Sequence, residues 1–159
     1  MDAMQSGDSA PDFSLPDQDG HVRRLRDFRG RPLVLFFYPR ASTSGCTTEA
    51  QGFRDHYAEF QKLGVSVVGA SPDTVAAQKK FAVNQSLPYP LLADAERSLC
   101  AAYGVLGEKS MYGRKFLGVV RTTVLVDGQG VVRRVLSKVK PAGHAEEVLR
   151  ALVALALVP

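Results

Sequence analysis

The clearest pattern along the chain is a pair of short apolar runs, each of strand length. "RPLVLFFYP" is almost continuously apolar and bounded by prolines, and "VSVVGAS" follows further along. Such runs are typical of strands buried on both faces of a sheet. Between them lies a stretch whose apolar residues share one helix face: Cys46, Ala50, Phe53, Tyr57 and Phe60. Gly64 is placed to end this helix, so the pattern predicts strand, helix, strand.

Two Asp-Gly pairs flanked by strand-like residues predict hairpins. "PDFSLPDQDGHVRRL" alternates apolar and polar residues around Asp19-Gly20, and "RTTVLVDGQGVVRRVL" places two strands around Asp127-Gly128. Further helices are predicted in "SPDTVAAQKKFAV", which opens with capping residues, in "DAERSLCAAYGV", and from Gly143 to about Leu157.

The order of these elements is hairpin, strand, helix, strand, helix, helix, hairpin, helix. It predicts an α/β domain with a mixed central sheet flanked by helices and an N-terminal β-hairpin. The sheet should be parallel where helices intervene and antiparallel at the last hairpin. This arrangement resembles a thioredoxin-like fold, although element order alone leaves several α/β folds open. Function has to be argued from the site.

Length and composition set broad limits. The chain has 159 residues, which suits one domain over 1–159, and its 45% apolar and 23% charged residues suffice for a core. Two cysteines do not make a disulfide scaffold. The start, "MDAMQSGDSAPDF", lacks a basic region followed by an apolar one, and "VLRALVALALVP" is too short to span a bilayer. We therefore expect a cytoplasmic protein with no membrane partner.

The charge of the chain is moderately basic, with a formal net charge of +4. Five arginines cluster early: Arg23, Arg24, Arg26, Arg29 and Arg31. The cluster has no interleaved aromatics and no nucleic-acid-binding motif. It is interpreted as a solvated face, so no nucleic-acid partner is predicted.

Cys46, in "FYPRASTSGCTTEA", is the residue that suggests chemistry, because it lies at a strand-to-helix junction instead of inside an apolar run. A thiolate is the nucleophilic form of cysteine, and unpaired N–H groups and the dipole at a helix N-terminus favour it. The helix face turns the sulfur inward, at the bottom of a shallow, largely apolar pocket. Thr43 is placed to bond the sulfur and a bound oxygen. Glu49 opposes a nearby thiolate, so a cation from elsewhere is required.

From these local features alone, Cys46 could also be an ordinary residue that only packs in the core. Other redox and metal classes fit the sequence less well. A disulfide oxidoreductase requires C-x-x-C, and this chain has "CTTE". His21, His56 and His144 are far apart and in no ligand spacing with either cysteine, so they are interpreted as solvated or core residues. No metal or cofactor is predicted.

The segment from Pro39 to Cys46, written P-x-x-x-T-x-x-C, resembles the peroxidatic signature of peroxiredoxins. The longer block "FFYPRASTSGCTTEAQGFRD" is similar to the peroxiredoxin Q / bacterioferritin comigratory protein branch. Further blocks extend the similarity in order over almost the whole chain: "APDFSLPDQDG", "GVSVVGASPD", "YPLLADAERSLCAAYGV" and "YGRKFLGVVRTTVLVDGQGVV".

The resemblance implies a thiol-dependent peroxidase that reduces hydrogen peroxide and small alkyl hydroperoxides through a sulfenic acid on Cys46. It supplies the missing cation as Arg121, in "VVRTTVLVD". Thr43, the Cys46 N–H and Arg121 would hold the peroxide oxygens, and Pro39 would shield the sulfur from water. Glu49 would orient Arg121 or the loop, with a plain first-turn acid as the alternative.

The chain departs from the family at the second cysteine. Many members of the branch carry a resolving cysteine five residues after the peroxidatic one or on the following helix. Here Gln51 occupies the first position, and the segment from Thr74 to Asn84 has no cysteine. Cys100 remains, either as a buried core thiol or as a resolving partner. If it is inert, the chain is a one-cysteine enzyme reduced by thioredoxin, glutaredoxin or a small thiol.

A second hypothesis shares the same reactive thiol. The protein would be a non-enzymatic peroxide sensor that passes oxidation from Cys46 to a partner, and turnover with a reductant would separate it from an enzyme. The sequence predicts a monomer or weak homodimer under either hypothesis.

Overall fold

A five-stranded mixed sheet forms the centre of the protein, with strand order β5-β4-β3-β8-β9 in a computed structural model that describes residues 4–159. Its strands are β3 (Leu33–Phe37), β4 (Ser66–Ser71), β5 (Leu91–Ala93), β8 (Thr122–Val126) and β9 (Val132–Ser137). β3 pairs in parallel with β4 and antiparallel with β8, and β8 and β9 form the antiparallel hairpin around Asp127-Gly128. The predicted mixed sheet is confirmed.

The helices cover both faces of this sheet. They are α1 (Ser44–Asp55), α2 (Tyr57–Lys62), α3 (Val75–Gln85), α4 (Ser98–Ala102) and α5 (His144–Ala154), with a 3-10 turn at Leu25–Phe28. The predicted helix from Cys46 towards Gly64 is broken at His56, whose ring contacts Glu59 and Glu146. Over residues 4–159, no helix is long and apolar enough to cross a membrane.

Alternate residues of β3, continued by Tyr38 directly after it, divide the core into two halves. Val34, Phe36 and Tyr38 face a cluster that contains α1 and α5, and Leu33 and Leu35 face a second cluster that contains α4. Period-2 alternation of a strand buried on both faces produces this division. The two halves keep the two cysteines apart, because Cys46 belongs to the first cluster and Cys100 to the second.

Two small hairpins lie outside the central sheet. β1 (Ser14–Pro16) and β2 (Val22–Arg24) form the predicted N-terminal hairpin. β6 (Leu106–Met111) and β7 (Arg114–Val119) form a second one, which the sequence analysis missed together with β5. β6 and β7 carry exposed residues on both faces, so no apolar alternation marks them. Tyr112 and Gly113 make the turn, both with positive φ.

Candidate active site

The loop between β3 and α1 brings Cys46 into position. Asp73, just after β4, accepts hydrogen bonds at Oδ2 from the Ala41 N–H at 2.8 Å and from the Ser71 hydroxyl at 2.6 Å. Ser42 adopts the left-handed region with φ of 66°. A non-glycine residue in this region costs about 1 kcal/mol or more, so neighbouring contacts such as the bond to Asp73 have to hold the loop in this shape.

Cys46 is the third residue of α1 and is 1% exposed. The first intrahelical bond runs from the Thr47 N–H to the Thr43 carbonyl oxygen at 2.8 Å. The N–H groups before it, including that of Cys46, have no partner within the helix. The helix N-terminus therefore presents unpaired donors and partial positive charge beside the sulfur, which favours a thiolate and a bound oxygen anion.

Arg121, immediately before β8, supplies a cation at the sulfur. Its Nη2 lies 3.4 Å from Cys46 Sγ, and its Nη1 donates to Glu49 Oε1 at 2.7 Å. Burial alone would lower the pKa of Arg121, but the neighbouring Glu49 and Cys46 raise it, so the guanidinium stays charged. Its planar fork contacts both groups at once, which a lysine ammonium could not do in the same geometry.

Glu49 lies behind Arg121 with its side chain fully buried. Burial raises the pKa of Glu49 to about 7, although Arg121 works in the opposite direction. Oε1 is bonded to Arg121, whereas Oε2 is buried and has no hydrogen-bond partner among residues 4–159. The carboxylate thus fixes the direction of the guanidinium, at the cost of one unsatisfied oxygen.

Neither Thr43 nor Pro39 forms a hydrogen bond with the Cys46 sulfur in the described part of the chain. The Thr43 hydroxyl donates to the Arg40 carbonyl oxygen at 2.8 Å, whereas we expected a bond to Cys46. Thr43 precedes α1 and its side chain is exposed, so its single hydroxyl hydrogen reaches the loop carbonyl, leaving the oxygen lone pairs free to accept. Pro39 follows Tyr38 at the end of β3 and is half-buried.

Cys100 lies on the opposite side of the sheet, fully buried in the cluster that contains α4. Burial, together with Asp94, raises the pKa of the Cys100 thiol far above its ordinary value, so it stays protonated. Both cysteines are free thiols. A disulfide requires Cα atoms within about 7 Å, and a sheet separates these two side chains. Cys100 and Cys46 are therefore not brought together.

Gln51 occupies the position where many members of the branch carry the resolving cysteine. Its amide donates to Gln85 Oε1 at 2.7 Å, and Arg54 donates to the Gln85 carbonyl oxygen at 2.8 Å. Gln85 is the last residue of α3. These two hydrogen bonds join the middle of α1 to the end of α3, and we call them the α1–α3 ties.

Gly45 is a site residue that the sequence analysis missed. A Cβ at this position would lie 3.1 Å from Arg121 Nη2 and 3.5 Å from Pro141 Cγ. The absence of a side chain therefore lets the guanidinium approach the first turn of α1. Its adjacency to Cys46 is visible in the sequence, but the closeness of Arg121 depends on the fold.

Replacing Gly45 by alanine is expected to displace Arg121 and to slow the reaction with hydrogen peroxide by about tenfold. Gly52→Ala in the same helix is the matched control, because its Cβ would make an ordinary 3.8 Å contact with Ala145. The control should keep the wild-type rate and melt at a slightly higher temperature, since alanine favours helix. Stopped-flow kinetics and thermal melts provide the two readouts. Equal rates for the two variants would contradict the prediction.

A thioredoxin-like fold with a thiol at a helix N-terminus, beside a partly buried arginine, defines a thiol-dependent peroxidase. The comparisons with known proteins agree. The AhpC/TSA family model matches residues 6–135, and the chain belongs to this family. It is 41% identical to peroxiredoxin Bcp of Escherichia coli over 149 residues, covering 94% of this chain and 96% of that protein.

Solved structures give the same result. Peroxidoxin BcpB from Mycobacterium tuberculosis superposes with a TM-score of 0.84 at 42% identity, over 95% of this chain and 97% of that one. The bacterioferritin comigratory protein of Xanthomonas campestris superposes with a TM-score of 0.86 at 41% identity, over 91% and 92% of the two chains. The protein is accordingly an enzyme that takes a hydroperoxide and a thiol reductant, and the non-enzymatic sensor is not favoured.

Proposed function

We propose that this peroxidase is a one-cysteine peroxiredoxin in which Cys46 is the peroxidatic nucleophile and an external thiol restores it. The observation that carries the proposal is the 3.4 Å contact between Arg121 Nη2 and Cys46 Sγ at the start of α1. The guanidinium and the unpaired helix N–H groups stabilise negative charge both on the sulfur and on the oxygen that leaves.

The reaction begins when the Cys46 thiolate attacks one oxygen of the hydroperoxide in line with the O–O bond. The sulfur–oxygen bond forms, the O–O bond breaks, and its electron pair goes to the departing oxygen, which takes up a proton to become water or an alcohol. Arg121 and the Cys46 N–H hold the departing charge. Thr43, whose hydrogen is directed to Arg40, accepts a hydrogen bond from the bound peroxide. Cys46 is left as a sulfenic acid.

Reduction then proceeds in two thiol steps. One thiol displaces water from the sulfenic acid to give a mixed disulfide, and a second thiol releases Cys46 as the thiolate. Cys100 does not act as the first thiol, because it is buried and protonated on the other face of the sheet. Thioredoxin, glutaredoxin or a small thiol fills this role, which places the enzyme in a reducing compartment such as the cytoplasm.

The substrates are hydrogen peroxide and modest alkyl hydroperoxides. Cys46 is 1% exposed, so a bulky peroxide does not reach the sulfur without movement of the loop. The Xanthomonas campestris relative has been studied for alkyl peroxide reduction, which is in line with this range.

Pro39, at the end of β3, limits the access of water to the sulfenic acid, and Glu49 orients Arg121. The enzyme works as a monomer or weak homodimer of a single domain.

Trapping the oxidised enzyme tests the proposal. One equivalent of hydrogen peroxide is added to the reduced protein with a sulfenic-acid reagent, and intact mass is measured without reductant. We expect one adduct, located by peptide mapping on Cys46, with Cys100 still a free thiol. An internal Cys46–Cys100 disulfide would instead make Cys100 the resolving residue and would require large local unfolding in each turnover.

A further inference from the structure

The buried oxygen Glu49 Oε2 faces a histidine that the reaction described above does not use. His144 begins α5 and is 2% exposed, and its Nε2 lies 3.9 Å from Glu49 Oε2. This separation is too long for a hydrogen bond, so the oxygen and the ring face each other without a bond. Both are carried by helices that pack against the half of the core that contains Cys46, and the ring of His144 packs edge-on against Phe53.

Two hydrogen-bond partners fix the tautomer of His144. Its Nδ1 lies 2.7 Å from Glu147 Oε1, and its Nε2 lies 2.7 Å from the Thr123 hydroxyl on β8. The carboxylate of Glu147 can only accept, so Nδ1 carries the hydrogen, and a neutral ring then accepts at Nε2 from Thr123. Burial lowers the pKa of His144, and Arg121 adds to this, which outweighs the opposing effect of Glu147. The neutral ring offers no donor to Glu49.

We propose that His144 is a positioning residue for the peroxidase reaction, because it controls whether Glu49 carries the charge that holds Arg121 beside Cys46. With a neutral ring behind it, Glu49 Oε2 has neither a hydrogen bond nor an opposite charge on that side. A donor at the same place would favour the ionised carboxylate and strengthen its hold on Nη1 of Arg121. The titratable and charged groups around the pair are Arg121 before β8, Cys46 on α1, Tyr89 before β5 and Glu147 on α5.

The arrangement makes the site sensitive to pH near neutrality. The pKa of Glu49 is raised to about 7, so the carboxylate gains a proton as the pH falls through that value. Protonation removes the charge that orients Arg121, and peroxide reactivity falls with it. This inference rests on the proposed roles of Glu49 and Arg121.

His144→Gln tests the proposal, because the flexible glutamine side chain can bring an amide N–H to Glu49 Oε2, whereas the neutral ring offers no donor there. Glu49 is followed by the 13C shift of its side-chain carboxyl, and its titration midpoint is expected to fall by about one pH unit. The rate constant with hydrogen peroxide should then persist to lower pH, so that the variant at pH 6 exceeds the wild type severalfold. At pH 8 the two should agree within twofold.

Two further variants complete the design. His56→Gln is the matched control, since His56 contacts Glu59 and Glu146 and lies outside this network, and it should leave the Glu49 midpoint unchanged. Glu49→Gln is the reciprocal test, in which the 15N shifts of His144 should titrate with a lower midpoint, because linkage is mutual. The His144 midpoint in Glu49→Gln tests the coupling between Glu49 and His144 even if His144→Gln fails to fold.

The outcomes separate the inference from the proposed function. An unchanged Glu49 midpoint in His144→Gln, an equal change in His56→Gln, or an unchanged His144 midpoint in Glu49→Gln would overturn the role of His144. If the Glu49 midpoint shifts in His144→Gln but the pH profile of the rate constant stays unchanged, the role of His144 is also overturned. None of these results bears on Cys46, whose assignment depends on the sulfenic-acid trapping.

Discussion

Cys46→Ser is expected to abolish peroxide consumption, reducing the rate to that of the uncatalysed reaction. Serine keeps the size and the helix position but does not ionise at neutral pH, so it supplies no nucleophile next to Arg121. The measurement is the decay of hydrogen peroxide in the presence of excess small thiol, at equal concentrations of folded enzyme.

Cys100→Ala is the matched control for this loss, because both residues are buried thiols but only Cys46 faces Arg121. The control should turn over within about twofold of the wild type. Its free energy of unfolding should fall by about 1 kcal/mol, as expected when one small buried side chain is shortened. A Cys100→Ala enzyme that reacts once with peroxide and then stops would show that Cys100 resolves the sulfenic acid.

Arg121→Ala is expected to lower the second-order rate constant with hydrogen peroxide by about 10²- to 10³-fold, the usual effect of removing one donor that stabilises developing negative charge. Arg121→Lys should recover only part of the rate, because an ammonium cannot contact the sulfur and Glu49 with the same fork. Arg133→Ala, on β9, is the control. Arg133 pairs at 3.8 Å with Asp127 and is partly exposed, so its loss should leave the rate unchanged.

The stability of Arg121→Ala should depend on pH in a direction that the structure fixes. Without its cation, the buried Glu49 has a pKa still further above its ordinary value, since Arg121 lowers it in the wild type. The folded state then binds a proton that the unfolded state releases, so stability falls as the pH rises. Thermal melts at pH 6 and pH 8 should show a larger loss relative to wild type at pH 8. If Arg121→Ala keeps the wild-type rate constant with hydrogen peroxide, Arg121 takes no part in the reaction.

Much of the fold could be predicted from patterns that act locally. The apolar run of β3 and the Asp-Gly turn between β8 and β9 follow from burial and turn chemistry, and both were found in the structure. The break between α1 and α2 could not be predicted, because His56 is held by Glu146, which is distant in sequence. The β6–β7 hairpin was missed because its strands lie outside the central sheet and lack the alternation that a buried face imposes.

The site residues also differ in whether the sequence alone indicates them. The placement of Cys46 at a helix start is local, so the sequence indicates it directly. Arg121 could be assigned only through the resemblance to peroxiredoxins, since a charged residue before a strand carries no signal of its own. His144 and Gly45 are brought to the site by contacts across the fold, and no spacing in the sequence indicates that His144 lies near Glu49 or that Gly45 lies near Arg121.

The α1–α3 ties have a consequence for how long the oxidised enzyme survives. Gln51 and Arg54 hold the middle of α1 to Gln85, and these two hydrogen bonds oppose unwinding of the helix that carries Cys46. In the proposed one-cysteine cycle, the sulfenic acid would wait for a thiol from solution, and during this interval a second peroxide could oxidise it irreversibly to the sulfinic acid. The lifetime of the enzyme would then be set by the ratio of reductant to peroxide around it, and a burst of peroxide in thiol-poor conditions would inactivate it permanently.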